Sequence, residues 1–157
     1  MIRLIPSTLI ILKPDAMKRH LDDLIINRFL KEGYVILRQK KIRVKKELVL
    51  EHYQDVIIRV NLPHLEPALI HTWENQEVLI VEMTKTGGDL IMDSRHLIGA
   101  TDPKKAEPSS IRGTYGIDSM EKAILEKRVV DNLVHASDSL ETAKKEIKLW
   151  FDERWSL

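Results

Sequence analysis

The chain has 157 residues, of which 43% are hydrophobic, enough for one domain around a single substantial core. Its 25 Lys and Arg against 24 Asp and Glu leave a formal charge of +1, so no global field points to nucleic acid or an anionic membrane. The absence of cysteine excludes disulfides and thiolate metal sites and suits a reducing cytosol. The start, Met1 to Ser7, lacks the apolar core of a secretory leader, and no later run is long enough to span a bilayer, so the expectation is a soluble, cytoplasmic protein.

Thr8 to Leu12 is a nearly continuous apolar run that stops at Lys13-Pro14-Asp15, which reads as a buried strand ending in a turn. Leu21, Leu24, Ile25 and Phe29 follow helical spacing up to Gly33, a natural residue just past a helix end. Tyr34 to Val44 reads as extended, and Lys45 to about Ile58 returns to a helical pattern through Leu48, Val49, His52, Tyr53 and Val56. A short helix is expected from Pro63 to Trp73 and a second apolar strand from Val78 to Met83. Gly87-Gly88 breaks the chain before a helical segment through Ile91 to Leu97, and Gly99 to Gly116 is rich in loop signals, including Pro103 and Pro108. Asp118-Ser119-Met120-Glu121 offers a capping box for a short polar helix to about Glu126. Val129 to Val134 would be the last strand, followed by a helix ending near Phe151. This order fits an α/β (α+β) sandwich of the ferredoxin-like kind, a four-stranded antiparallel sheet with helices packed on one face, as a single domain over residues 1–157.

The segment Asn132 to Ser139 says most about chemistry, because it delivers His135 to the threshold of the last helix. Asp138 or Ser139 can cap that helix, Glu141 completes a box with Asp138, and Leu140, Ala143, Ile147, Trp150 and Phe151 share its apolar face. A helix start favours a phosphoryl group through its free N–H donors and partial positive charge. An imidazole beside it can act as a nucleophile if a carboxylate fixes its tautomer. A lone histidine between a strand and a helix also fits a satisfied structural residue. No G-x-x-x-x-G-K-[ST] or G-x-G-x-x-G is present, so neither P-loop nor dinucleotide-fold phosphate binding applies. His20, His64, His71 and His96 lack metal-ligand spacing and read as surface or structural groups.

Four blocks then resemble the nucleoside diphosphate kinase family: Thr8 to Ala16; Glu51-His52-Tyr53; Leu97 to Pro103 with Ser110-Ile111-Arg112-Gly113; and Asn132 to Ser139 with Glu146 beyond. The resemblance runs from about Thr8 to Phe151. It implies a ping-pong transfer of the γ-phosphoryl group of a nucleoside triphosphate through a phosphohistidine to a nucleoside diphosphate, with ATP the expected donor because cells keep it abundant. The catalytic set it implies is His135, attacking through Nδ1, with Glu146, Ser137, Lys13 and Tyr53. Nucleotide contacts fall to Lys13, His52, Tyr53, Arg95, Thr101, Arg112 and Asn132, with Asn132 on the ribose 3′-hydroxyl. Mg²⁺ enters on the nucleotide phosphates with no protein cage, and the protein is a homo-oligomer, hexamer or tetramer.

Three departures from the family stand out. Ala136 replaces the usual glycine after the nucleophile, where a methyl crowds the backbone if φ is positive. Ile57 to Glu66 replaces the segment bearing the aromatic that packs on the base, leaving Leu62 and Leu65 as apolar candidates. The stretch between Gly113 and Asn132 is longer than the family uses, giving an extended loop and helix around 116–130. The rival readings are a catalytically silent scaffold and a nucleic-acid-binding module, the latter from Arg38, Lys40, Lys41, Arg43, Lys45 and Lys46. With only Phe29 and Phe151 as phenylalanines, that module lacks the stacking aromatics RNA-reading sheets use.

Overall fold

The computed structural model describes residues 5–156, so Met1 to Leu4 of the segment examined for a leader lie outside the described residues. Strand β1 (Thr8–Leu12) is followed by α1 (Pro14–Lys18) and α2 (Asp22–Lys31), then β2 (Tyr34–Arg43). Next come α3 (Lys46–His52), α4 (Gln54–Val60), α5 (Leu65–Trp73), β3 (Glu77–Lys85) and α6 (Leu90–Ile98). The chain closes with α7 (Ile111–Tyr115), α8 (Met120–Leu125), β4 (Val134–Ala136) and α9 (Leu140–Trp150). Among the described residues no helix is long and apolar enough to cross a membrane.

Local chemistry accounts for most of these boundaries. Pro14 occupies the first position of α1, where its missing N–H costs nothing, so Lys13-Pro14-Asp15 opens a helix and is more than a turn. Gly33, at φ +89°, supplies the left-handed step after α2. Tyr53 leaves helical geometry at ψ +10°, which splits the expected helix into α3 and α4. The Gly99 to Gly116 loop holds a 3₁₀ turn at Pro103–Lys105 and all of α7, capped by the Ser110 side chain. Ser119 caps α8 and Ser139 caps α9, in each case by accepting a backbone N–H three residues on.

The sheet runs β2-β3-β1-β4 and every pairing is antiparallel. Contrary to the single-face expectation, helices cover both faces. Ile10, Leu12, Leu79, Val81 and Met83 pack with Ile25, Phe29, Leu97, Ile98 and Ile111 on one side. Leu9, Ile11, Val78 and Ile80 pack with Leu48, Val49, Leu69, Trp73 and Trp150 on the other. All five β1 residues are buried, so its side chains contribute to two cores at once, each large aliphatic one worth about 1.5–3 kcal/mol.

The last strand also departs from expectation. Residues 129–133 are not strand; β4 starts at Val134. Leu133 sits at φ +72°, and the Val134 N–H bonds back to the Asn132 carbonyl at 2.8 Å, closing a three-residue turn. For a non-glycine residue this costs about 1–3 kcal/mol and persists only when surrounding structure enforces it. The enforcement comes from the other end of the chain: the Lys13 N–H donates to the Leu133 carbonyl at 2.8 Å, and Asp15 Oδ2 accepts the Leu133 N–H at 3.1 Å. Leu133 itself is fully buried.

Candidate active site

Register decides where His135 points. It lies opposite Ile11 on β1, and directly opposed residues on antiparallel strands share a face. Since Ile11 faces the core beneath α3, α5 and α9, His135 faces that side too, and its neighbours Val134 and Ala136 pack against the other core. Ser137 pins the register: its N–H donates to the Leu9 carbonyl at 3.2 Å, and its Oγ accepts the Leu9 N–H at 3.3 Å.

Glu146 reaches back from α9 to the histidine. The distance from His135 Nε2 to Glu146 Oε1 is 3.0 Å, and the Ser137 hydroxyl donates to the same oxygen at 2.7 Å. Burial pushes the Glu146 carboxyl up, but the hydrogen bond and charge of the His135 ring and the Ser137 hydroxyl outweigh it and hold the group below the usual carboxylate value. An ionised Glu146 can only accept, so the proton of a neutral His135 sits on Nε2 and the lone pair on Nδ1.

His52 stacks edge-on against His135, ring centroids 4.9 Å apart, and against Tyr53 and Trp150. The Trp150 indole N–H donates to His52 Nδ1 at 2.9 Å, which sets the tautomer of this ring as well. Burial, then the neighbouring His135, pulls the His52 pKa down to about 3, so His52 is neutral and does not compete for the Glu146 charge. Tyr53 is held well above the ordinary phenol value by burial and by Glu146, so it stays a hydroxyl. His52, His135 and Glu146 bring three ligand atoms within 4.8 Å. Two imidazoles and one carboxylate suit a transition metal better than Mg²⁺, and the Glu146 Oε1 and His52 Nδ1 atoms already have protein partners.

A cleft of ≈ 590 Å³ opens beside the histidine, with Arg95, Thr101, Arg112 and His135 among its walls. Arg95 is exposed and has no hydrogen-bond or ion-pair partner among the described residues. Arg112 behaves differently from expectation. It is buried, and three of its five N–H donors go to backbone carbonyls: Nε to Asn132 at 3.0 Å, Nη1 to Gly99 at 3.0 Å and Nη2 to Val134 at 2.6 Å. It fastens the β4 approach to the loop after α6, with two donors left for the cleft. Burial and the nearby Arg95 lower its pKa to about 10, which keeps it charged at neutral pH. Gly99, at φ +91° and packed against the Ser110 side chain, gives that loop its turn where a β-carbon would collide.

Lys13 and Asn132 are both buried and joined, Nζ to Oδ1 at 2.8 Å, while the Asn132 amide donates to the Thr101 carbonyl at 3.0 Å. Burial lowers the Lys13 ammonium to about 8, with Asp15 opposing the shift. Thus the strand-one turn, the β4 approach and the cleft wall are connected through two side chains.

Several expectations are corrected. The residues lining the cleft come from α6, Gly99 to Thr101, Lys105, Glu107, Arg112 and β4 and include none from the first turn of α9; Asp138 is exposed and does not cap. Leu62 and Leu65 do not line it: Leu62 is exposed and Leu65 packs on the second core. Met92, His96 and Lys105 do line it. Met92, Arg95 and His96 share one face of α6 at helical spacing, a signal present in the sequence once Arg95 is singled out. Ala136 is extended strand paired with Ile10, so its methyl meets no positive φ. Three of the six residues of the basic run are engaged: Arg38 pairs with Glu82 and stacks on Phe151, Lys40 bonds Ser156, and Arg43 bonds the Asn75 carbonyl.

The family model described as nucleoside diphosphate kinase matches residues 6–155. A nucleoside diphosphate kinase of Thermococcus kodakarensis is 42% identical over 148 residues, covering 94% of this chain and 77% of that one. One from Synechocystis sp. is 35% identical over 152 residues, covering 93% and 87%. Among solved structures, a transition state mimic of a Borrelia burgdorferi nucleoside-diphosphate kinase with bound vanadate and ADP superposes with a TM-score of 0.85 at 31% identity, covering 95% of this chain and 88% of that one. An NDP kinase from Pyrobaculum aerophilum gives a TM-score of 0.83 at 31% identity, covering 98% and 100%.

Proposed function

This chain belongs to the nucleoside diphosphate kinase family and is a phosphotransferase of that activity, and from that premise we propose that His135 is the residue that carries the phosphoryl group. The observation that supports it most is the 3.0 Å contact between His135 Nε2 and Glu146, which leaves the Nδ1 lone pair free to attack. Nδ1 attacks the γ-phosphorus of a nucleoside triphosphate, with ATP as the abundant donor; an N–P bond forms, the bond to the β,γ-bridging oxygen breaks, and the nucleoside diphosphate leaves. The ring becomes cationic in this step, and the Glu146 carboxylate stabilises that charge while Ser137 steadies the carboxylate. A terminal phosphate oxygen of a second nucleoside diphosphate then attacks the phosphohistidine in the reverse sense.

Charge developing on the transferred group falls to Arg95, Thr101 and the two free donors of Arg112, with the neutral His52 and Tyr53 closing the site behind the ring. Lys13 and Asn132 meet the ribose hydroxyls, Asn132 the 3′-hydroxyl. Mg²⁺ is held by the nucleotide phosphates and offsets their charge. A homo-oligomer, hexamer or tetramer, is supported by the exposure of Ile117, Ile124 and Leu125 at 82%, 66% and 77%. The reading also takes residues 1–157 as one domain acting in the cytoplasm.

The test is intact mass after brief incubation with Mg-ATP, followed by GDP or dTDP. One acid-labile phosphoryl group that disappears on adding the diphosphate, and never forms in His135→Ala, is the expected result. Transfer by His135→Ala would remove the histidine from this role.

A further inference from the structure

The stretch 116–130 that lengthens the approach to Asn132 is tied down through Asp118 and through Met120, and both ties end beside groups that meet the nucleotide. Asp118 is central. Its side chain is 7% exposed and takes two hydrogen bonds from Arg128, Nη1 at 2.6 Å and Nη2 at 2.9 Å. The hydrogen bonds of Arg128 hold the Asp118 carboxyl well below the usual carboxylate range, so it remains an acceptor throughout the neutral range. Its Oδ2 also accepts the backbone N–H of Asp131 at 2.8 Å, the residue immediately before Asn132. At the other tie, Asp102, the residue immediately after Thr101, accepts through Oδ1 the backbone N–H of Met120 at 3.2 Å and that of Lys104 at 3.1 Å. The Asn132 amide bonded to the Thr101 carbonyl closes the loop of contacts.

We propose that Asp118 is a positioning residue for nucleotide recognition: it fixes the backbone at Asp131 so that the Asn132 side chain keeps its place between Lys13 and Thr101 and meets the ribose 3′-hydroxyl. The lengthened segment is therefore a brace for the sugar subsite. Asn132 has no strand pairing of its own to hold it, since β4 begins only at Val134 and Leu133 is a left-handed turn. Its orientation depends on the carbonyl contact of Arg112 from one side and on the Asp118 contact at residue 131 from the other. The inference rests on the reading of Asn132 as the 3′-hydroxyl contact.

A brace acting through Asn132 has a signature that general weakening of the protein lacks, because its effect exists only when the 3′-hydroxyl is present. The experiment measures discharge of the phosphorylated protein by dADP and by 2′,3′-dideoxy-ADP in the wild type, Asp118→Ala, Asp118→Asn and Asn132→Ala. Loss of one well-placed hydrogen bond corresponds to about fivefold, so Asp118→Ala should lower kcat/KM about fivefold for dADP and less than about twofold for the dideoxy substrate. Asp118→Asn keeps an oxygen to accept the Asp131 N–H and should recover most of that loss; Arg128→Met, which removes the two bonds that orient the Asp118 carboxylate, carries the test in the same assay if the alanine variant does not fold, again with the larger loss on dADP. Equal losses on both substrates in the Asp118 variants, with Asn132→Ala still discriminating between them, would overturn the brace and leave the reading of Asn132 standing. If Asn132→Ala loses no more on dADP than on the dideoxy substrate, the 3′-hydroxyl reading itself fails and the brace fails with it.

Discussion

Replacing Glu146 by Ala should slow phosphorylation of the protein by about ten- to a hundredfold while nucleotide affinity changes by less than about threefold. The carboxylate is 13% exposed on its side chain, accepts from His135 Nε2 at 3.0 Å and from Ser137 Oγ at 2.7 Å, and is not itself among the residues that line the cleft. Hydrogen bonds to a charged group contribute about 1.5–3 kcal/mol, and here that interaction strengthens as the ring gains charge, so the loss appears in the barrier rather than in binding. At about 1.4 kcal/mol per decade the range converts to the factor given. Glu146→Gln separates orientation from charge, because its amide oxygen still accepts the Nε2 proton and should recover part of the rate. Stopped-flow or quench measurement of phosphoprotein formation over a range of ATP concentrations yields the maximal rate and the affinity separately. An unchanged maximal rate in Glu146→Ala, or a loss confined to affinity, would refute the assignment.

His52 is depressed to about 3 from an unfolded value near 6.5, so between those pH values the unfolded chain binds a proton that the folded one refuses. Stability should therefore fall as pH drops through that window, by up to about 1.4 kcal/mol per unit from this group, and His52→Asn, which keeps an acceptor for Trp150, should flatten the acid limb of urea midpoints; an identical limb would refute the assignment. At Leu133 the usual order of glycine and alanine should invert: with φ +72°, Leu133→Gly should be about 1 kcal/mol more stable than Leu133→Ala by denaturant titration, and the reverse order would mean that the left-handed turn is not enforced in solution. Ala136→Gly should leave kcat within about twofold, since the residue is ordinary strand; a large gain would show that the methyl hinders the site.

Much of this was readable in the chain because it rests on local pattern. The apolar run at Thr8, the Phe29 face of α2 and the Trp150 face of α9 fall where spacing puts them. His135, Glu146 and Ser137, which the resemblance groups together, lie within hydrogen-bond reach of one another through the Glu146 carboxylate. The two-sided burial was also available: an unbroken Leu9-Ile10-Ile11-Leu12 has no polar alternation and announces a strand covered on both faces. What stayed hidden depends on partners remote in sequence. Val129 to Val134 has strand composition, yet Lys13 and Asp15 bend it at Leu133, and no local signal reports that. Arg112, read as a nucleotide contact, and Asp118, read as part of a capping box, reveal their structural bonds only once their partners at Gly99, Val134, Arg128 and Asp131 are in view.

The β1–β4 pairing has a temporal consequence. His135 takes its bearing from Ile11, a neighbour 124 positions earlier, and its carboxylate partner lies further on in α9. During synthesis the first strand must wait, apolar and unpaired on one edge, until Val134 to Ala136 have emerged. A product cut short before α9 lacks the means to orient its imidazole. On the proposed roles of His135 and Glu146, full catalytic speed thus requires that translation has passed Glu146 and that β1 and β4 have met.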